Sequence, residues 1–106
     1  MEINTFNKGQ VRVVVYKERD NEVWYATALE LNLTVDSDNK SSVVLELEQA
    51  VVDYIQSAQE IGDEALLNQT PDPEILELWE KRMNNQTDSI ESPYIPFSAS
   101  IERLGA

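Results

Sequence analysis

The 106-residue sequence contains no cysteine and no histidine. The missing thiols exclude a disulfide framework and a thiolate metal site. The missing imidazoles exclude Ser–His or Cys–His catalysis and histidine-ligated zinc. The three glycines, Gly9, Gly62 and Gly105, do not form a phosphate-binding loop. Catalysis would have to rely on carboxylates, and none of the 20 acidic residues lies in a clearly apolar stretch. We therefore expect a protein that is not an enzyme and holds no metal or cofactor.

Long apolar runs are also missing. No stretch approaches the ~18 to 20 apolar residues that cross a bilayer, and the polar start MEINTFNKGQ shows no signal peptide. The length suits a single domain over residues 1–106. We expect a soluble, cytoplasmic protein that does not bind membranes, and the lack of cysteine fits a reducing compartment.

Basic residues are absent from a long central interval. The net charge is −12, and no Lys or Arg occurs between Lys40 and Lys81. That interval carries these carboxylates: Glu46, Glu48, Asp53, Glu60, Asp63, Glu64, Asp72, Glu74, Glu77 and Glu80. Such a surface repels phosphate backbones, so direct nucleic-acid binding is disfavoured, whereas a basic partner protein would be attracted. The plainer alternative is a solvated face that keeps the protein soluble.

The first half of the chain predicts three strands. Val11–Glu18 is rich in β-branched residues, with apolar side chains on both faces, and Val23–Glu30 returns after a four-residue polar turn. Leu31–Val35 continues the alternation after a tight turn or bulge near residues 30–32. The polar residues 1–10 are expected to be poorly ordered or to form a short edge segment.

A long amphipathic helix is predicted from Ser41 to Ile61, between turn residues that supply an N-cap and Gly62, which suits a left-handed C-terminal cap. Its apolar stripe consists of Val43, Val44, Leu47, Ala50, Val51, Tyr54, Ile55, Ala58 and Ile61. Glu46, Asp53 and Glu60 lie opposite that stripe, seven residues apart. The Asp36-Ser37-Asp38 sequence before the helix fails the calcium-loop pattern, so we assign it to capping and turn formation.

Two apolar residues of this helix, Leu45 and Val52, fall about 60 to 80° outside the stripe and need a second covering surface. A second helix of the same chain is the favoured cover, and a partner protein is the alternative. That helix is predicted from Pro73 to about Met83, with Asp72 as its N-cap.

The alternating tail Tyr94–Ile101 predicts a further strand, either at the edge of the same sheet or on another subunit. Together these elements predict an α+β fold: an antiparallel three- to four-stranded sheet, one long helix packed on it and a shorter C-terminal helix.

The stretch VWYATALELNL, followed by a polar loop and a helix that opens SxxxLELEQAVVDYI, resembles the HicB-like antitoxin family over about residues 11–61. The resemblance implies a sheet-and-helix domain, often dimeric, that covers a small, basic, histidine-containing RNase toxin of the HicA type. Many members also carry a C-terminal DNA-binding domain. The acidic second helix and short tail here do not look like one, so we expect no separate DNA-binding domain.

Three functions remain open at the level of sequence. The first is a HicB-like module that binds a basic toxin through Glu46, Asp53, Glu60, Leu45 and Val52. The second is a homo-oligomeric structural or regulatory protein with no toxin partner, for which we expect a dimer. The third is a small enzyme that uses carboxylates, which a bound divalent metal would support.

Overall fold

The chain folds around one four-stranded antiparallel sheet with strand order β3-β2-β1-β4. The structure is a computed structural model and describes residues 3–86 and 92–104. The elements are β1 (Gly9–Glu18), β2 (Trp24–Ala28), β3 (Leu33–Ser37), α1 (Lys40–Ile61), α2 (Pro73–Met83) and β4 (Tyr94–Leu104). Short 3₁₀ turns occur at Leu29–Leu31 and Glu64–Leu67. The predicted α+β class, with one long and one shorter helix on an antiparallel sheet, is confirmed.

Strand β1 is buried on both faces because each face of the sheet carries a helix. Its residues Val11, Val13 and Val15 belong to the core under α1, together with Val43, Leu47 and Ala58 of that helix. Val14 and Tyr16 point the other way and pack with Ile75 and Leu78 of α2. Below, the two sides of the sheet are called the α1 face and the α2 face. The apolar residues on both faces of β1 thus follow from its central position.

The connection between β2 and β3 contains the predicted tight turn, but the third strand begins at Leu33 and not at Leu31. Strand β2 ends at Ala28, the 3₁₀ turn Leu29–Leu31 follows, and Asn32 adopts a left-handed conformation with φ 48°. The turn sends Leu29 into the α2-face core and Leu31 into the α1-face core. Both side chains are almost fully buried, so the tight turn predicted here also fills the two cores.

Helix α1 begins and ends with the predicted types of cap. The Asn39 side chain accepts a hydrogen bond from the Ser42 N–H, and Gly62 takes the left-handed conformation with φ 79°. Two stripe residues were wrongly expected in the core, because Val44 is 37% and Ile61 70% exposed. Ile61 lies in the last turn of α1, and the 22 helical residues span about 33 Å whereas the five-residue strands β2 and β3 beneath them span about 17 Å, so α1 is longer than these two strands.

Helix α2 also follows its sequence signals. The Asp72 carboxylate accepts hydrogen bonds from the Glu74 and Ile75 N–H groups, and Pro73 is the first helical residue. The helix packs on β4 and β1. Neither α1 nor α2, nor any other helix within residues 3–86 and 92–104, is long and apolar enough to cross a membrane.

The C-terminal tail pairs with β1 of its own chain, which decides between the two placements left open by the sequence. The register shifts between Val15 and Tyr16 of β1, so that Phe97 is an extra residue in β4. As a result Phe97 packs edge-on against Trp24 on the α1 face. Ala99, two residues later, pairs with Val14 on the α2 face.

The N-terminal segment is held in place more firmly than its polar composition predicted. Asn4 is buried, its amide nitrogen donates to the Leu67 carbonyl over 2.8 Å, and its amide oxygen accepts from the Gln10 N–H over 2.7 Å. A Cβ at Gly9 would collide with the Asn4 side chain, so this close approach requires glycine. Gly9 and Gln10 already belong to β1.

Candidate partner-binding surface

The three carboxylates singled out on α1 all lie on its solvent side. Glu46, Asp53 and Glu60 are exposed, at intervals of two helical turns, opposite the side that packs on the sheet. Asp53 accepts a hydrogen bond from the Gln49 amide over 3.0 Å. The structure therefore brings the predicted residues into one line of negative charge on the outside of the long helix. We call Glu46, Asp53 and Glu60 the acidic line.

Leu45 and Val52 are left uncovered, so the expectation that α2 would cover them was wrong. They are 66% and 58% exposed. The physical reason is the two-sided sheet: α2 has its own apolar surface to bury and packs on the opposite face, against Val14 and Tyr16. Covering Leu45 and Val52 with α2 would have left that face of β1 open to solvent.

Leu45 and Val52 lie on the flank of α1 that faces β4, along an open apolar groove. Helix α1 packs chiefly over β2 and β3, which leaves space above β1 and β4. Near the C-terminal end of β4 this space measures about 330 Å³ and includes Val44, Val51 and Val52 in its walls. Near Phe97 a second space of about 410 Å³ is lined by Val44 and Leu45. We call the two together the α1–β4 groove.

Charges of both signs surround this groove. The Lys40 ammonium lies 4.0 Å from the centre of the Phe97 ring and 5.9 Å from that of Trp24. Glu48, Glu102 and Arg103 line its other end. The groove is therefore close to neutral, in contrast to the acidic line on the outside of the same helix.

A cluster of aromatic side chains occupies the α2 face beside β2. Tyr16 stacks on Tyr25 with ring centres 5.3 Å apart, and Tyr94 packs edge-on against both. The Tyr25 hydroxyl donates to the Glu18 carboxylate over 2.5 Å, and this hydrogen bond is the main reason that the pKa of Tyr25 is raised to about 12. Burial raises the pKa of Tyr16, whose hydroxyl shares a hydrogen bond with Thr27.

No group of three or more acidic side chains that could hold a metal ion occurs in the described part of the chain. In the loop before α1, the capping is done by Asn39, and the Ser37 hydroxyl accepts from the Asn39 N–H. The predicted turn and capping role is thus performed by Ser37 and Asn39, and not by Asp36 or Asp38.

Sequence reasoning missed Lys40 and Phe97 as residues of the candidate surface. The alternation of the tail predicts Phe97, Ala99 and Ile101 on one face, but Phe97 is an extra residue and turns to the other. The signal that could have marked it is Pro96, since proline within a strand is typical of edges and bulges. Lys40 directly precedes the predicted start of the helix at Ser41, and in the structure it is the first residue of α1. Its position over the Phe97 ring depends on a strand that follows it by more than fifty residues.

Comparison with known proteins adds no relative: no protein-family model, curated protein or solved structure matches the chain.

Proposed function

We propose that this protein is a non-catalytic protein-binding module, a HicB-like antitoxin or a stand-alone relative of one, that takes a basic partner on helix α1. The observation that carries the proposal is the juxtaposition on α1 of the exposed acidic line and the uncovered residues Leu45 and Val52. Large apolar side chains exposed beside a line of like charge are typical of a surface that a partner of opposite charge covers.

The charge distribution supports a basic partner in particular. The segment from residue 41 to residue 80, which includes nearly all of α1 and most of α2, has no Lys or Arg to neutralise its carboxylates internally. A basic protein would be drawn to it, with an association rate that falls as salt is added. The resemblance of residues 11–61 to HicB-like antitoxins supplies the class of partner, a small basic RNase of the HicA type.

The proposal is tested with a HicA-type toxin, taken from a short reading frame beside the gene for this protein where one is present. We expect co-expression to relieve the growth arrest that the toxin causes, and the purified proteins to form a complex that weakens with salt. Reversing two charges, Glu46→Lys with Asp53→Lys, should weaken binding by at least about tenfold through the lost attraction.

The matched control is Glu77→Lys with Glu80→Lys, the same change in charge on exposed positions of α2. It alters the net charge equally but leaves α1 intact, so it should retain most of the affinity. Equal loss in the two double variants would show that net charge alone governs the interaction. A toxin that neither binds nor is neutralised would contradict the proposed function.

A second candidate, a homo-oligomeric structural or regulatory protein with no toxin partner, is favoured by the exposed apolar residues along β4. Ile95, Phe97 and Ile101 are 42%, 47% and 50% exposed. Salt-independent self-association, together with no affinity for a basic protein, would favour this candidate over the first.

A further inference from the structure

Strand β4 is a long, unusually bare edge of the sheet. It has 11 residues, and it lies at the end of the strand order, next to β1 alone. Edge strands are ordinarily protected by shortness, by charge or by proline. In β4, Pro96 and the bulge lie near one end and Glu102 and Arg103 near the other. The middle of the strand, residues 98–101, carries no such protection.

The hydrogen-bonding pattern identifies which backbone groups of β4 point away from the sheet. The Arg19 N–H donates to the Pro93 carbonyl and the Glu18 N–H to the Val23 carbonyl, so the odd-numbered residues of β1 bond toward β4. Their partners Ser98, Ser100 and Glu102 therefore bond back to β1. The N–H and C=O groups of the alternate residues, Ala99, Ile101 and Arg103, point to the outer edge.

We propose that this edge binds a second copy of the same chain, by antiparallel pairing of β4 with β4 about a two-fold axis at Ile101. In that register Ile101 pairs with Ile101 of the second copy, and Ala99 with Arg103 of the second copy in both directions. Each of these pairs exchanges two hydrogen bonds, so every outward-pointing backbone group of the three residues finds a partner. The half-exposed Ile101 side chain is covered by its own equivalent.

The charge distribution favours pairing of two copies at the β4 edge over pairing at the β3 edge. Two chains of net charge −12 repel each other wherever their acidic surfaces meet. In β4 the only charged residues are Glu102 and Arg103, which balance. The opposite edge, β3, has five residues, includes Asp36 and is followed by Asp38. Of the two edge strands, β4 is therefore the one at which two copies repel each other less.

Helix α2 lies beside the proposed pairing because it packs on β4. The Trp79 indole donates to the Ser100 carbonyl beside Ile101, so the middle of α2 lies next to the proposed axis. The carboxylates of α2, Glu74, Glu77 and Glu80, are largely offset by Lys81 and Arg82 of the same helix. The acidic line is on the opposite face of the sheet and remains accessible, so this dimer is compatible with the proposed function without depending on it.

The experiment is sedimentation of the purified chain over a concentration series, without any partner protein. We expect a dimer for the parent. Ile101→Lys places two like charges opposite each other at the axis, so the dissociation constant should rise at least about tenfold. Ala99→Pro removes an outward-pointing N–H and takes no donor from the pairing of β4 with β1, so it should have the same effect. Ile95→Lys is the control, because this exposed residue lies outside the paired segment, and it should remain dimeric. Circular dichroism checks that each variant is folded.

Disulfide cross-linking tests the proposed register of the β4–β4 pair. Since the chain has no cysteine, Ile101→Cys introduces a single thiol, and paired Cα atoms about 5.5 Å apart suit a disulfide. We expect rapid covalent dimerisation of this variant on mild oxidation and none for Ser57→Cys on the exposed side of α1. A monomeric parent would overturn the proposal, and so would a dimer that resists both β4 substitutions and does not cross-link through residue 101.

Discussion

The hydroxyl of Tyr25 is held in its protonated form by the carboxylate of Glu18. The hydrogen bond between them is the first cause of the rise in the pKa of Tyr25 to about 12 from the ordinary 10.0. A group whose folded pKa is raised favours folding while it stays protonated. This contribution to stability is therefore complete below pH 10 and is lost as the pH rises from 10 through 12.

We predict that Glu18→Gln moves the ionisation of Tyr25 toward pH 10, since a neutral amide no longer opposes the phenolate charge. The measurement is a spectrophotometric titration of tyrosinate absorbance, with Tyr25→Phe identifying the transition near pH 12. Glu22→Gln is the matched control, because Glu22 is exposed and its carboxylate lies 3.9 Å from the Lys17 ammonium. An unchanged transition in Glu18→Gln would contradict the assignment.

The burial of Asn4 could not be predicted from the sequence. In a polar segment nothing distinguishes this asparagine from Asn7, yet Asn4 is 3% exposed and bonded to Leu67 and Gln10. Its main partner is 63 positions away. Local patterns carry no information about contacts at that distance. The caps at Asp72 and Gly62, by contrast, were predictable because each acts on its own neighbours.

At the scale of single elements, the orientation of α1 is tested by two residues that are two positions apart. Leu47 is 4% exposed in the core under α1, and Leu45 is 66% exposed on its flank. We predict that Leu47→Asp lowers the free energy of unfolding by at least about 3 kcal/mol, since it removes a buried side chain and buries an unpaired carboxylate. Leu45→Asp, the same change at the exposed site, should cost within about 0.5 kcal/mol.

Urea unfolding of the two variants measures both effects under the same conditions. Similar losses of stability in the two would mean that α1 is rotated from the orientation described above.

The elements themselves and the packing of α1 on the sheet were predictable, whereas the side of the sheet that α2 occupies was not. Hydrophobic periodicity and capping signals located α1, α2 and β1, and the alternating tail indicated β4. The sequence did not show which side of the sheet α2 would occupy. An apolar pattern on both faces of β1 indicates that each face is covered, but it does not indicate which helix covers which face. The exposure of Leu45 and Val52 follows directly from that choice of side.

At the scale of the whole molecule, the charge distribution predicts that DNA is not a ligand. The net charge is −12, and Arg12, one of the eight basic residues, is bound through its guanidinium to Glu30 at 2.6 Å. We expect no mobility shift of the promoter of its own gene at physiological salt, because no counterion release would favour binding. A sequence-specific shift, resistant to competitor DNA, would contradict this expectation.

Strand β1, one of the two inner strands of the sheet, pairs on one side with β4 from the far end of the described chain. β1 meets β2 through a short turn, but its other neighbour, β4, is synthesised after both helices. During synthesis a valine-rich strand therefore has one open side until the last strand emerges from the ribosome. Closing that distant contact should limit the folding rate, and the nascent chain needs protection from aggregation until it forms.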